Sequence, residues 1–256
     1  MHAFSADLSQ KIALVTGASS GLGIRFAHAL AAHGARVVLA ARNEAALEQV
    51  RADIERSGGR ALAVRMDVTD RDSIEQAFET ARAKLGVIDV CVNNSGITTT
   101  RPSLELEESD WDSVIDTNLK GAWMVANEAA RRLVAAEQPG SIINIASILA
   151  FRAAGVVTSY MASKAGLVHL TRGLALEWAR HRIRVNAIAP GYFATEMNRD
   201  FWDTAPGQAM IKRIPQRRLG QVEELDGPLL LLASDASSYM TGSTIVVDGG
   251  HLQSTL

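Results

Sequence analysis

Seven short runs of β-branched and aliphatic residues punctuate the chain: KIALVT (11–16), ARVVLA (35–40), RALAVRM (60–66), VIDVCVN (87–93), GSIINIAS (140–147), IRVNAIA (183–189) and STIVVDG (243–249). Their apolarity is continuous rather than alternating, which predicts strands covered on both faces, as in a parallel sheet. Helical patterns fill the gaps, over 22–33, 44–57, 70–84, 104–136, 158–180 and 222–233. Strand and helix in alternation predict a Rossmann-type, doubly wound α/β fold with right-handed crossovers. The sheet should have seven strands, mainly parallel, with helices on both faces. No repeat, low-complexity tract or linker interrupts the pattern, so residues 1–256 are expected to form a single domain. The rhythm breaks only at 191–220, an aromatic stretch with two prolines that predicts a substrate-binding lid.

Composition then removes several function classes. The 26 basic and 28 acidic residues leave a net charge of −2, no electrostatic footprint for nucleic acid or an anionic membrane. No apolar run approaches the roughly twenty residues that span a bilayer. The N-terminal MHAFSADLSQK lacks the basic segment and apolar core of a secretory signal. Cys91 is the only cysteine, so an intrachain disulfide is impossible and a reducing, cytoplasmic location is expected. Its surroundings, VIDVCVNN, predict a buried core thiol. The six histidines show no ligand spacing, and no metal site is expected.

Immediately after the first strand comes TGASSGLG (16–23). Gly17, Gly21 and Gly23 stand where a strand must turn sharply into a helix. Glycines there let the backbone approach a pyrophosphate, and the helix N-terminus offers free N–H donors and a positive dipole end. At the start of a βαβ unit this predicts a dinucleotide site. The second strand ends VVLAARNEAAL, with Ala41 where an NAD site usually has a carboxylate for the ribose hydroxyls, and Arg42 next to it. A guanidinium can pair with a 2′-phosphate, so NADP(H) is favoured and NAD(H) is the alternative. In MDVTD, Asp67 either accepts a bond from the adenine amino group or simply caps the helix that follows.

TGASSGLG, NNSG (93–96), TNLKG (117–121), Ser147, YMASK (160–164) and APGYFATEM (189–197) together resemble the classical short-chain dehydrogenases/reductases, from Lys11 to about Gly250. NNSG stands in place of the more usual NNAG. Ser20 stands where many NADP-preferring members carry Lys or Arg. The resemblance implies cofactor contacts from Gly17, Ser19, Ser20, Gly21, Leu22, Gly23, Arg42, Asp67, Val68, Asn94, Gly96, Tyr160, Lys164, Pro190, Gly191 and Thr195. It implies a catalytic set of Asn118, Ser147, Tyr160 and Lys164, in which Asn118 holds a water of a proton relay.

Chemistry gives the set its logic. Carbonyl reduction needs a hydride on carbon and a proton on oxygen. A phenol with a pKa near 10 is a poor base, and the positive charges of Lys164 and oxidised nicotinamide are expected to depress that of Tyr160. Lys164 should also hold the nicotinamide ribose, and Ser147 should hydrogen-bond the substrate oxygen. Leu149, Tyr192, Phe193 and Trp202 are expected to wall the substrate site with Ser147 and Tyr160. That wall favours a lipophilic, aromatic or acyl ketone or alcohol. An NAD-linked sugar or polyol dehydrogenase is the alternative enzyme, and a dinucleotide-sensing regulator the non-enzyme one. Helices 104–136 and 158–180 are apolar on more than one face, which predicts a homotetramer.

Overall fold

The computed structural model describes residues 6–194 and 199–253. Its strands are β1 (Ile12–Thr16), β2 (Arg36–Ala41), β3 (Arg60–Arg65), β4 (Val90–Asn93), β5 (Gly140–Ile145), β6 (Ile183–Pro190) and β7 (Thr244–Val247). Among the described residues the helices are α1 (Gly21–Ala32), α2 (Glu44–Arg56), α3 (Arg71–Lys84), α4 (Glu108–Ile115), α5 (Ala122–Ala135), α6 (Thr158–Trp178), α7 (Arg199–Trp202), α8 (Ala205–Ile211) and α9 (Asp226–Ala233). The strands form one sheet in the order β3-β2-β1-β4-β5-β6-β7. Every pairing is parallel.

Successive strand residues serve opposite layers. Val15, Val37, Leu39, Val92 and Ile143 join Phe26, Leu30, Leu47, Ile54 and Leu229 in one core, beneath α1, α2 and α9. Leu14, Val38, Cys91 and Ile142 join Ile74, Phe78, Val125, Leu133 and Leu174 in the other, beneath α3, α5 and α6. Two buried faces explain the uninterrupted apolar runs. Strand order reverses between β1 and β4, so the loops leaving their carboxyl ends part and open a crevice, where folds of this kind bind ligands.

The helix expected over 104–136 is broken. Its first turn is a separate 3₁₀ turn at Ser103–Glu105, and α4 starts afresh from a capping box between Glu107 and Asp110. A π-helical turn at Asp116–Gly121 then joins α4 to α5. Gly121 packs so closely that a Cβ there would lie 2.8 Å from the Val68 carbonyl oxygen. Tertiary packing therefore sets the irregular turn, and Asn118 sits fully buried inside it. Within 191–220, α7 and α8 lie between a backbone bridge that pairs Phe193 with Gly220.

Candidate active site and cofactor cradle

The turn after β1 has the backbone its glycines suggested. Gly17 (φ +65°) and Gly21 (φ +52°) are left-handed, and a Cβ on Gly23 would fall 2.1 Å from the Gly17 carbonyl oxygen. Ser20 caps α1 with extended backbone but lends no side-chain bond, and the first turn holds no acidic residue. The Gly23 N–H donates to Ser20 O at 3.2 Å, while the N-terminus around Leu22 takes no side-chain cap and offers its positive dipole end to an anion. Ser19 is half-buried beside it.

Thr16, which the sequence reading passed over, staples this turn to β4. Its Oγ1 accepts from the N–H groups of Asn94 and Ser95, both at 3.0 Å, and donates to Val92 O at 3.4 Å. Asn94 Nδ2 donates back to Thr16 O at 3.0 Å. The NNSG motif is therefore a brace for the glycine turn. A cradle that a Cβ would fill and a helix terminus without a side-chain cap both fit a dinucleotide pyrophosphate.

At the far end of the crevice, Arg42 is exposed just beyond the buried Ala41. Asp67 Oδ1 accepts from the Thr69 N–H (3.0 Å) and hydroxyl (2.7 Å), so this carboxylate caps its own turn; α3 takes its N-cap from Asp70. Burial would push the Asp67 carboxyl up, but the Thr69 bonds and the charges of Arg42 and Arg65 hold it below its usual range. Val68 is buried beside it.

Ser147, Tyr160, Lys164 and Asn118 converge where β4 and β5 end. The Ser147 side chain lies close enough to the Tyr160 hydroxyl to favour its phenolate, and Ser147 Oγ accepts from Leu149 N–H at 3.1 Å. Lys164 is 4% exposed; its Nζ donates to Ile145 O at 2.7 Å and lies 5.6 Å from the Tyr160 ring centre. Asn118 Oδ1 accepts from Ile97 N–H (2.8 Å), and its Nδ2 donates to Ile97 O (2.9 Å) and Ser163 Oγ (3.1 Å). Ser163 donates in turn to the Tyr160 carbonyl at 2.7 Å, which ties the π turn to the first turn of α6. Gly96 passes where a Cβ would stand 3.4 Å from Asn118 Oδ1 and 3.5 Å from Lys164 Nζ.

The pKa of Tyr160 departs from expectation. In the chain alone, burial pushes the phenol up, the Ser147 side chain opposes that rise, and Tyr192 adds to it. Burial also lowers the pKa of Lys164, to about 8, so its ammonium still faces the phenol at neutral pH but is lost above pH 8.

The aromatic wall is also redistributed. Phe193 is buried in the first core, and a Cβ on Gly220 would lie 2.4 Å from its ring. Trp202 is buried too, edge-on to Tyr192 at 5.4 Å and to Phe201 at 5.0 Å. Both residues pack the segment after β6 onto the body, Trp202 through its contact with Tyr192. Leu149 and Tyr192 are half-buried at the site. Pro190 ends β6. Gly191 allows the strand end to pass Asp248, whose Cα would lie 2.7 Å from an added Cβ. Thr195 lies outside the described residues. Two site neighbours escaped the sequence reading, Arg152 and His251, which meet through a bond from the guanidinium to the His251 carbonyl. Among the described residues no group of three or more His, Cys, Asp or Glu could hold a metal ion.

A family model described as enoyl-(acyl carrier protein) reductase matches residues 17–251. The chain belongs to the short-chain dehydrogenase/reductase family. It is an oxidoreductase that moves a hydride between a nicotinamide cofactor and a ketone or secondary alcohol. It is 41% identical over 256 residues to the 2-dehydro-3-deoxy-D-gluconate 5-dehydrogenase of Escherichia coli (strain K12), with 98% of each chain covered. It is 39% identical over 245 residues to the gluconate 5-dehydrogenase of Gluconobacter oxydans (strain 621H), with 95% of each covered. A crystal structure of the gluconate 5-dehydrogenase of Burkholderia cenocepacia J2315, in complex with NADP and tartrate, superposes with a TM-score of 0.93 at 37% identity, with 98% of each chain covered. These three relatives are named for sugar acids.

Proposed function

We propose that the enzyme is an NADP(H)-preferring dehydrogenase/reductase of a sugar-acid-like hydroxy or keto compound. The observation that carries the reading is the Ser147–Tyr160 pair beside a buried Lys164, set at the carboxyl ends of the strands and facing the glycine turn. When bound, the cofactor supplies or accepts the hydride at the substrate carbon. Tyr160 gives its hydroxyl proton to the carbonyl oxygen during reduction and takes it back during oxidation. Ser147 hydrogen-bonds the same oxygen and stabilises the negative charge that develops there. Lys164 is placed to hold the ribose hydroxyls and to return the proton to Tyr160, and Asn118 fixes the π turn against α6. A regulator that only senses dinucleotides would not need this intact set.

Support for NADP(H) comes from Arg42, exposed beyond Ala41 where a carboxylate would repel a 2′-phosphate, and from the NADP found in the Burkholderia cenocepacia enzyme. Ser20 leaves the glycine turn without the basic residue that many NADP-preferring members carry there, so NAD(H) should serve at lower efficiency. Losing a desolvated phosphate partner costs about 2–5 kcal/mol, against at most about 1 for a screened pair. Arg42→Ala should therefore weaken NADPH at least tenfold and barely affect NADH, while Ala41→Asp should reverse the preference. Steady-state kinetics with both cofactors, over gluconate, its keto and deoxy relatives, polyols and acyl thioesters, test the whole reading. A preference for NADH, or for acyl thioesters over every sugar acid, would overturn it.

The same reading includes one domain, a lid over 191–220, a cytoplasmic location and a homotetramer. Its supports are the single buried Cys91 and the outward Trp111, Val134 and Leu176 on α4, α5 and α6. Among the described residues no helix is long and apolar enough to cross a membrane. Light scattering that reports a 27.4 kDa particle would refute the tetramer.

A further inference from the structure

We infer that Arg65 is a second guanidinium for the 2′-phosphate of NADP(H), acting beside Arg42 and giving up Glu44 to do so; this rests on the NADP(H) reading above. The sheet sets the order of the groups. Ala18 N–H, in the glycine turn, donates to Ala40 O at 3.2 Å, and Met66 N–H donates to Ala41 O at 3.0 Å. Along the carboxyl edge the glycine turn, the end of β2 and the end of β3 therefore follow one another. Ser147 and Tyr160 lie to the other side of that turn, where β4 and β5 end. A dinucleotide whose pyrophosphate meets the turn and whose nicotinamide meets Tyr160 must lay its adenosine toward β2 and β3. Arg65 stands directly opposite Ala41 in that strand pairing, about 4.8 Å across.

Strand alternation puts the Arg65 side chain on the face of Ala61 and Ala63, which pack on the core beneath α1 and α2. There it meets Glu44, the first residue of α2, with 3.8 Å between Nε and Oε1. This is the one ion pair of Arg65 among the described residues, and its side chains are 60% and 69% exposed. A long contact in open solvent is weak and easily exchanged. The other carboxylate of the corner, Asp67, feels the charges of both Arg42 and Arg65, but its Oδ1 is already engaged by the Thr69 N–H and hydroxyl. Glu44 is therefore the negative group that a phosphate would displace. A 2′-phosphate carries close to two negative charges and three acceptor oxygens, and one guanidinium fork meets two of those oxygens. Arg42 alone leaves an oxygen and part of the charge unmatched. The second cation that Ser20 does not supply from the glycine turn is supplied by Arg65 from β3.

Adenosine 2′,5′-bisphosphate and adenosine 5′-phosphate differ only in the 2′-phosphate. Their calorimetric titration into the cofactor-free enzyme isolates the subsite from hydride transfer. The wild type should bind the bisphosphate more tightly. Arg65→Gln should reduce that preference about fivefold or more, the upper scale of a screened pair, with Arg65→Lys intermediate. Glu44→Gln should raise the preference and lose most of that gain when Arg65→Gln is added. Both substitutions fall on exposed side chains, so the fold is retained. Full preference in Arg65→Gln would make Arg65 a latch between β3 and α2; that overturns the proposal and leaves the NADP(H) reading standing. A Glu44→Gln gain of equal size with and without Arg65 would also overturn it, because the carboxylate would then act on the phosphate directly. A wild type with no preference for the bisphosphate would sink the NADP(H) reading, and the role of Arg65 with it.

Discussion

Lys164 offers the sharpest quantitative test, because its burial has a thermodynamic consequence that can be measured without substrate. Its ammonium is shifted from an ordinary 10.5 to about 8 by desolvation, with the Ile145 carbonyl its only hydrogen-bond acceptor among the described residues. At 1.36 kcal/mol per unit, that difference corresponds to roughly 3 kcal/mol. Below pH 8 the lysine is charged in both folded and unfolded chains, and the folded state carries the full desolvation penalty. Between pH 8 and 10.5 the folded chain has released the proton while the unfolded chain still holds it. The unfolded state then binds more protons, so stability rises with pH across this window. Lys164→Met removes the titration. It also leaves the Ile145 carbonyl without its donor, at a cost of about 1–3 kcal/mol that does not vary with pH. The quantity to measure is therefore the change with pH in the wild-type minus Lys164→Met stability difference. It should shift in favour of wild type by roughly 3 kcal/mol between pH 7.5 and 10.5, or about 6–12 °C in Tm for a chain of this size. Denaturant titrations of both cofactor-free proteins at one fixed protein concentration would supply it. A difference that stays flat across the window would refute the buried, desolvated ammonium.

Tyr160→Phe should lower turnover at least a hundredfold, the scale of positioned proton transfer, with a much smaller effect on cofactor affinity measured by fluorescence titration. Near-normal rates in that variant would remove Tyr160 as the acid. Gly23→Ala places a methyl 2.1 Å from the Gly17 carbonyl oxygen, so the turn must shift. The expected results are at least tenfold weaker NADPH binding and a stability loss of about 1–3 kcal/mol in denaturant titration. Unchanged NADPH affinity would mean that the glycine turn does not meet the pyrophosphate.

The five inner strands were legible because each is buried on both faces, and apolarity without alternation is how a parallel strand reads; the edge strands β3 and β7 are only partly buried and were legible from similar aliphatic runs. The expected 104–136 helix failed for a tertiary reason. DWDSVIDTNLKGAWMV contains nothing that locally forbids a helix, and the π turn depends on the contact of Gly121 with Val68 O, fifty-three positions back in sequence. The E-x-x-D box at Glu107 and Asp110 was a readable start signal that a longer periodicity masked. Tyr192, Phe193 and Trp202 could not be sorted from sequence into packing and site residues, because the division rests on Gly220 closing under Phe193. The sign of the Tyr160 shift was missed for a related reason. Proximity of Lys164 is visible in Y-x-x-x-K, but the burial that raises the phenol and lowers the lysine is not.

The residues that hold the site in place also fix the register of the strands beneath it. Asn93 and Asn144 are directly opposed in β4 and β5. Asn93 Nδ2 donates to Asn144 Oδ1 at 2.9 Å and to Ala122 O at 3.1 Å. Asn144 Nδ2 donates to Thr171 Oγ1 at 2.9 Å, and Thr171 donates to Leu167 O at 2.8 Å within α6. Every member is buried, so a one-residue slip of β5 would turn Asn144 to the opposite face and leave its partners unmatched at several kcal/mol. An all-aliphatic pair would tolerate such a slip far better. The network fixes β5 against both β4 and α6, and those are the elements that must align for Lys164, projecting from α6, to reach the carbonyl of Ile145 at the end of β5. Polar groups in this core therefore act less by adding stability than by excluding the registers in which the lysine would miss its acceptor.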